Sequence, residues 1–263
     1  MIRALFTAAT GMVGQQLNID TIANNLANVN TTGFKKSRVN FQDLLYETIK
    51  PAGTENAGGG ERTPEGVQIG HGVRPAAIAK LYTQGNMIST GNALDIVVEG
   101  DGFFQVELPD GRRAYSRDGS FKVSATGQLV TADGYPLSPG ITVPQDSQGV
   151  TFKPDGTVSI LDANGAQQAA GQLTLVRFLN PAGLDARLGR NLLLETEASG
   201  APSETQPGVN GAGTIEQGFL ENSNVQVVEE ILNLIIAQRA YEANSKVIQT
   251  SDEMLQLANN VRR

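Results

Sequence analysis

At both ends of the chain, apolar positions recur at intervals of three and four. Between the ends they fall in short runs separated by glycine-rich turns. Near the N-terminus, Ile2, Leu5, Ala9, Met12, Gln16, Ile19, Ala23 and Leu26 trace one seam, interrupted only by Gln16, and Phe6, Val13 and Ala27 widen it. The spacing predicts an amphipathic helix from Ile2 to about Asn28, a rod of roughly 40 Å. Gly11 and Gly14 lie inside it, and each weakens an isolated helix by about 1 kcal/mol relative to Ala. Such a helix needs a partner. The pattern stops at Asn30-Thr31-Thr32-Gly33, residues suited to a C-cap and turn.

A longer helix is predicted from about Asn222 to Val261. Asn222-Ser223-Asn224 offers capping side chains, and Glu229 and Glu230 sit in early turns where the helix dipole favours acids. Ile236, Ala240, Ala243, Val247, Thr250, Met254, Leu257 and Val261 form a second seam. Val228, Ile231, Leu232, Leu234 and Ile235 make the first half apolar almost all round, so it needs several neighbours. Arg262 and Arg263 suit the C-terminal dipole end. Two readings stay open: a pair of helices within one chain, or such a pair that also packs against other copies. The breadth of apolar surface from Ile231 to Ala237 favours the second.

The middle of the chain predicts strands. Phe41, Leu44, Leu45 and Ile49 suit a short helix or strand, and Val67, Ile69, Val73, Ala77 and Ala79 suit extended segments. Pro51 to Glu65, with Gly58-Gly59-Gly60 at its centre, reads as an exposed loop. From Leu94, short apolar runs alternate with Asp110-Gly111, Asp118-Gly119, Thr126-Gly127, Asp133-Gly134, Asp155-Gly156 and Asn164-Gly165. Closely spaced turns of this kind indicate antiparallel hairpins. Pro202 to Gly213 reads as a linker into Ile215–Leu220. The expected fold is mainly β, an irregular antiparallel sandwich or distorted barrel. Long N- and C-terminal helices would pack together as a coiled-coil-like helical domain. The expected division is 1–32 with 221–263 as an assembly domain, 33–93 as a connecting region with an inserted loop at about 46–84, and 94–220 as the β body.

Composition narrows the function. The 263 residues carry a formal net charge of -7, which argues against nucleic acid as a partner. The cluster Lys35, Lys36, Arg38 is too short to reverse this and reads as a solvated turn. The chain has no cysteine, hence no disulfide or thiol chemistry. No apolar stretch is long enough to insert in a membrane, and the first residues lack the apolar core and cleavage site of a secretion signal. His71, the only histidine, sits between Gly70 and Gly72 in a turn. The aspartates mostly adjoin glycines, where the side chain satisfies turn backbone. No nucleophile elbow, phosphate loop or calcium loop occurs. A non-enzyme without cofactor or metal is expected.

Several segments together resemble one family. Ala23-Asn24-Asn25-Leu26-Ala27-Asn28 and Asn30-Thr31-Thr32-Gly33-Phe34-Lys35 are similar to the N-terminal signature of bacterial flagellar rod and hook proteins. Leu220-Glu221-Asn222-Ser223-Asn224-Val225, followed by Gln238-Arg239-Ala240-Tyr241-Glu242-Ala243-Asn244-Ser245-Lys246, resembles their C-terminal signature. Gly100-Asp101-Gly102-Phe103-Phe104 and Tyr115-Ser116-Arg117-Asp118-Gly119-Ser120-Phe121 resemble their central segment. The segment between about Tyr46 and Gln84, with Gly70-His71-Gly72-Val73-Arg74-Pro75, resembles the distal-rod type. The likeness spans nearly the whole chain.

The resemblance implies a self-assembling subunit of the basal-body rod, a hollow helical drive shaft that carries torque to the hook and passes exported subunits. Terminal helices would line the channel and the β body would face outward. Implied partners are further copies, proximal rod proteins, the hook protein, the peptidoglycan and outer-membrane ring proteins, and the rod cap during assembly. Its place would be the periplasm-spanning rod, reached by flagellar export without a cleaved signal. The alternatives are a proximal rod or hook subunit, then a non-motility fibre or a periplasmic binding module. In this reading the carboxamides of Asn24, Asn25, Asn28, Asn222 and Asn224 either bond across helices, favouring one geometry, or cap helix ends. The glycines and polar residues of the terminal helices imply helices ordered by assembly. NMR of dilute chain should show random-coil shifts over 1–28 and 222–261, and stable helical shifts there would contradict this.

Overall fold

Two helices dominate the ends: α1, Ile2–Ala27, and α2, Val227–Asn260. The structure is a computed structural model that describes residues 2–53, 64–144, 146–162 and 166–260. Most of the loop Pro51 to Glu65 with Gly58-Gly59-Gly60, the Asn164-Gly165 turn, Val261, Arg262 and Arg263 lie outside the described residues. The chain divides into two compact units. One gathers Met1–Leu26, Ser37–Ala79 and Gln226–Arg263, and the other gathers Ala27–Lys36 and Lys80–Val225.

The first unit holds both helices, which pack together, and two antiparallel strand pairs. Ser37–Asp43 pairs with Val73–Lys80, and Tyr46–Lys50 pairs with Val67–Gly70, placing Tyr46 opposite Gly70 and Lys50 opposite Val67. The two strands Tyr46–Lys50 and Val67–Gly70 thus form the arms of a hairpin. Almost all of that hairpin is exposed, including Tyr46, Ile49, Val67 and Ile69.

α2 begins five residues later than the predicted Asn222. Phe219–Glu221 is instead a strand paired with Met87–Ser89, and the Asn222 N–H continues that ladder by donating to the Asn86 carbonyl. Asn222-Ser223-Asn224 looks like a cap because its side chains bond local backbone readily. Ser223 uses that capacity in a turn, accepting from the Val225 N–H at 3.2 Å. At the other end α1 stops at Ala27, and two tight turns follow, with the Thr31 N–H on the Asn28 carbonyl and the Phe34 N–H on the Thr31 carbonyl.

The second unit is a set of small antiparallel sheets, and none closes into a barrel among the described residues. The largest has four strands in the order Leu137–Ser138, Phe104–Glu107, Arg113–Ser116, Leu192–Leu193. A second has three: Gly149–Phe152, Thr157–Leu161 and Gln167–Gln172. The Asp-Gly turns act as expected. Asp110 Oδ1 accepts from the Arg112 N–H at 3.1 Å, and Asp155 Oδ1 from the Thr157 N–H at 2.9 Å. Gly111 and Gly156 take the left-handed φ of 79° and 82° that the hairpin turns require.

Successive side chains on a strand point to opposite faces, and the body uses both. Phe104, Ala114, Leu175 and Leu192 enter one core, which also holds Ile96, Phe121 and Ile215. Their neighbours Phe103, Tyr115, Val176 and Leu193 enter a second core with Phe178 and Leu184. Pairs of consecutive apolar residues mark strands buried on both sides. The rings pack edge-on, Phe104 to Phe121 at 5.2 Å and Tyr115 to Phe178 at 4.8 Å. No helix among the described residues is long and apolar enough to cross a membrane.

Candidate functional site: the helix pair and a buried ion cluster

The two helices meet along small and polar residues. On α1 the buried positions are Ala8, Gly14, Thr21, Ile22 and Asn25. On α2 they are Glu230, Ala237 and Ser251. Asn244 belongs to the same stripe, since a Cβ added at Gly11 would lie 2.8 Å from its Nδ2. Glu230, Ala237, Asn244 and Ser251 recur every seventh residue, which keeps them on one face. Asn25 touches Glu230 and Gly11 touches Asn244. Fourteen residues back along α1 thus answer fourteen forward along α2, and the pair is antiparallel over about 21 Å.

Asn25 fixes one end of this register. Its Nδ2 donates to Glu230 Oε2 at 3.1 Å and to the Ser37 carbonyl at 2.8 Å, and its Oδ1 accepts from the Ser37 N–H at 2.8 Å. The carboxamide copies the pairing of a neighbouring strand and uses three of its four hydrogen-bonding capacities while buried. Gly14 admits Phe41, whose Cε1 would come within 3.1 Å of a Cβ there. The glycines that weaken α1 alone are contact points in the packed unit.

The predicted seams lie beside this buried stripe, not in it. Ala9, Met12, Ile19, Ala23 and Leu26 follow Ala8, Gly11, Asn18, Ile22 and Asn25, and Ile236, Ala243 and Thr250 precede Ala237, Asn244 and Ser251, each by one residue. One residue is about 100° around a helix. Leu5, Ala9, Met12, Ile19 and Leu26 are half-buried, whereas Ala23 and Ala243 are exposed. Ile2, Leu232, Ile236 and Leu257 are 66%, 57%, 58% and 64% exposed, and Val247 and Met254 are exposed too. Gln238, Arg239 and Tyr241 point to solvent, with Arg239 paired to Glu242 at 3.0 Å.

In the second unit three charged side chains are buried together. Glu221, 1% exposed, accepts from Lys35 Nζ on Oε1 and from Arg117 Nε on Oε2, both at 2.6 Å. Its Oε1 also accepts from the Gly85 N–H at 2.8 Å, and its backbone carbonyl from the Gly33 N–H at 2.8 Å. Gly33 is required there, with φ of 69° and a would-be Cβ 2.8 Å from the Arg117 backbone. Lys35 Nζ donates further to the Thr83 carbonyl at 2.8 Å. Arg117 donates to the carbonyls of Gly102, Val98 and Gly100. Burial alone would raise the Glu221 carboxyl, but the charges and hydrogen bonds of Arg117 and Lys35 outweigh it and hold it below the usual carboxylate range. Burial draws the Lys35 amine below its ordinary value, against the raising pull of Glu221 and with Arg117 adding to the lowering.

The solvated turn expected at Lys35 is thus a buried ion pair. Lys35 was singled out only as part of that basic turn and Arg117 and Glu221 not at all, although each stands in one of three quoted motifs. Asn224 stitches the same region: its Oδ1 accepts from the Lys36 N–H at 2.8 Å, and its Nδ2 donates to the Leu81 carbonyl at 2.9 Å and Thr83 Oγ1 at 2.9 Å. The Thr32 carbonyl accepts from Asn191 Nδ2 and Asn28 Oδ1 from Thr31 Oγ1, while Asn24 is exposed and Phe34 and Asn222 are half-buried. Of the five asparagines, Asn25 bonds across the helices and Asn224 bonds the segments that flank the strands, at Lys36, Leu81 and Thr83.

Known families match the segments that build these sites. Residues 5–35 match "Flagella basal body rod protein", 97–160 match "Flagellar hook protein FlgE/F/G D1 domain", and 216–261 match "Flagellar basal body rod FlgEFG protein C-terminal". The chain is 50% identical over 266 residues to the flagellar basal-body rod protein FlgG of Borreliella burgdorferi, covering 100% of both chains. It is 47% identical to that of Caulobacter vibrioides, covering 99% of this chain and 100% of the relative. The chain belongs to the FlgG family of flagellar basal-body rod proteins. The Bacillus subtilis FlgG is 43% identical, again over 100% of both chains. Each of the three charged residues lies in a family-matched stretch: Lys35 at the end of the first, Arg117 in the second and Glu221 in the third.

Glu221 titrates lower in the folded chain than its ordinary value of about 4.3. The cluster's contribution is therefore complete above that value and is lost as pH falls through the depressed one. Glu221→Gln should cost about 3–5 kcal/mol at neutral pH by leaving buried cations unpaired, and should flatten the acid limb of stability against pH. Urea unfolding from pH 7 to pH 3 checks this. Wild-type stability and an unchanged acid limb would contradict it.

Proposed function

We propose that this chain is a structural subunit of the flagellar basal-body distal rod, assembling with its own copies and other flagellar components into a hollow drive shaft. Membership of the FlgG family supports the reading. The observation that carries it is the exposure of the predicted seams: Ile2, Phe6, Leu232, Ile236 and Leu257 face solvent while the contact between α1 and α2 is small and polar. Apolar side chains in such number on one pair of helices call for further helices. The seam residues Leu5, Ala9, Met12, Ile19, Ala23, Leu26, Ala243, Val247 and Met254 are proposed to meet neighbouring copies. The terminal segments 1–32 and 221–263 would then work as one assembly domain around the channel.

The exposed hairpin of Tyr46–Lys50 and Val67–Gly70 is proposed to bridge subunits and stiffen the rod. Proximal rod proteins, hook protein, ring proteins and rod cap as direct partners, and export through the flagellar channel, belong to the same proposal. So does a role without catalysis.

Substitutions at exposed seam positions test the reading. Leu232→Glu with Ile236→Glu should leave the circular dichroism and melting of dilute chain nearly unchanged, because surface changes usually act within about 0.5 kcal/mol. The same pair should abolish rods seen by electron microscopy. Rods of normal length from the double variant would reject the seam as the assembly surface.

A further inference from the structure

A pocket of about 210 Å³ opens in the β body, lined by Lys35, Tyr82, Phe103, Arg117 and Phe178 among others, with Arg177 and Asp101, 4.0 Å apart, as a separate charge pair in the lining. Two of its cations, Lys35 and Arg117, are buried, and one carboxylate, Glu221, answers both. The other bonds of those cations go to neutral carbonyls, on Thr83 for Lys35 and on Gly102, Val98 and Gly100 for Arg117. One positive charge stays uncompensated in a desolvated place, which is unfavourable without an anion. The Tyr82 hydroxyl is also buried and has no hydrogen-bond partner among the described residues. Burial pushes that phenol up to about 12, so it remains a donor at ordinary pH. The walls are aromatic, with Tyr82 and Phe103 at 5.6 Å and Phe103 and Phe178 at 5.9 Å.

Positive charge, an unused hydroxyl donor and apolar walls specify one ligand chemistry. We propose that the pocket binds a carboxylate on a short apolar stem, supplied in the rod by an acidic side chain of a neighbouring copy. The volume, about seven waters at roughly 30 Å³ each, holds a propionate-sized group such as the glutamate side chain. Charge selects the source. The chain carries 27 acidic against 20 basic residues, so copies repel one another in general and attract where a cationic pocket meets a neighbour's acid. Leu179 at the rim is 97% exposed and offers that neighbour an apolar contact. The neighbour as source rests on the rod-subunit reading, whereas binding of a carboxylate by the pocket does not.

The test has two arms on the full chain. In the first, dilute unassembled protein is titrated with sodium propionate, with sodium chloride as control, and followed by amide NMR. Saturable shifts confined to Lys35, Tyr82, Gly102–Phe103 and Arg177–Phe178 are expected. Tyr82→Phe, with unchanged circular dichroism, should weaken binding about fivefold. Non-saturating shifts, shifts that chloride reproduces, or an unaffected Tyr82→Phe affinity would overturn the site. In the second arm, rods assembled from mixed light and heavy-isotope chains are treated with a carbodiimide. A Lys35 crosslink to an Asp or Glu joining one light and one heavy peptide is expected. Crosslinks within single chains only, such as Lys35 to Glu221, would overturn the neighbour as source. Chains that fail to assemble would sink the rod reading while the propionate arm still reports on the pocket.

Discussion

A carboxylate as buried as Glu221 is tolerable only with its cations in place, and that constraint organises the β body. Removing an ion from water costs several kcal/mol, recovered only when geometry and hydrogen bonds are good. Here Lys35 and Arg117 each stand 2.6 Å from one carboxylate oxygen, and a backbone N–H from Gly85 completes the set. The three charges come from residues far apart in sequence. Folding must therefore bring the segment after α1, the central strands and the segment before α2 to one place before any of them is stable there. Gly33 and Asn224 reinforce the arrangement with further backbone contacts.

The helices obey a complementary logic. Between them Asn25 bonds Glu230 and Gly11 meets Asn244, and their buried positions are, Ile22 apart, small or polar. Small residues allow close approach but bury little apolar surface, so the pair gains limited hydrophobic stabilisation. The register is set by hydrogen bonds, which are costly to misplace when buried. The leucines and isoleucines remain on the outside. A chain in which polar contacts set the internal register and apolar ones are left over stays separable before assembly and gains stability from its neighbours. That division fits a rod subunit of the FlgG family.

Much of this was legible from residues alone. The two helices follow from three-and-four spacing, and the hairpins follow from Asp-Gly turns whose aspartates bond the backbone amide two residues on. The face joining α1 to α2 was not legible, because hydropathy marks Leu, Ile and Met while Gly11, Asn25, Glu230 and Asn244 carry little signal. The start of α2 was placed too early because Asn222-Ser223-Asn224 has capping chemistry that is used elsewhere. Lys35 read as solvated because its partner Glu221 is 186 positions away in sequence, and Arg117, which shares that carboxylate, is 82 away. Long-range ion pairs leave no local periodicity. The paired apolar residues at 103–104, 114–115, 175–176 and 192–193 carried the two-core arrangement, yet a short apolar run alone does not say that both faces are covered.

The central claim is that one stripe of each helix is used within the chain and the neighbouring stripe is kept for other copies. Hydroxyl-radical footprinting of the same protein, dilute and assembled, measures this side chain by side chain. Phe6, Leu232, Ile236, Met254 and Leu257 should be oxidised readily in the dilute chain and become strongly protected in the rod. Seam residues that remain equally reactive after assembly would contradict the account.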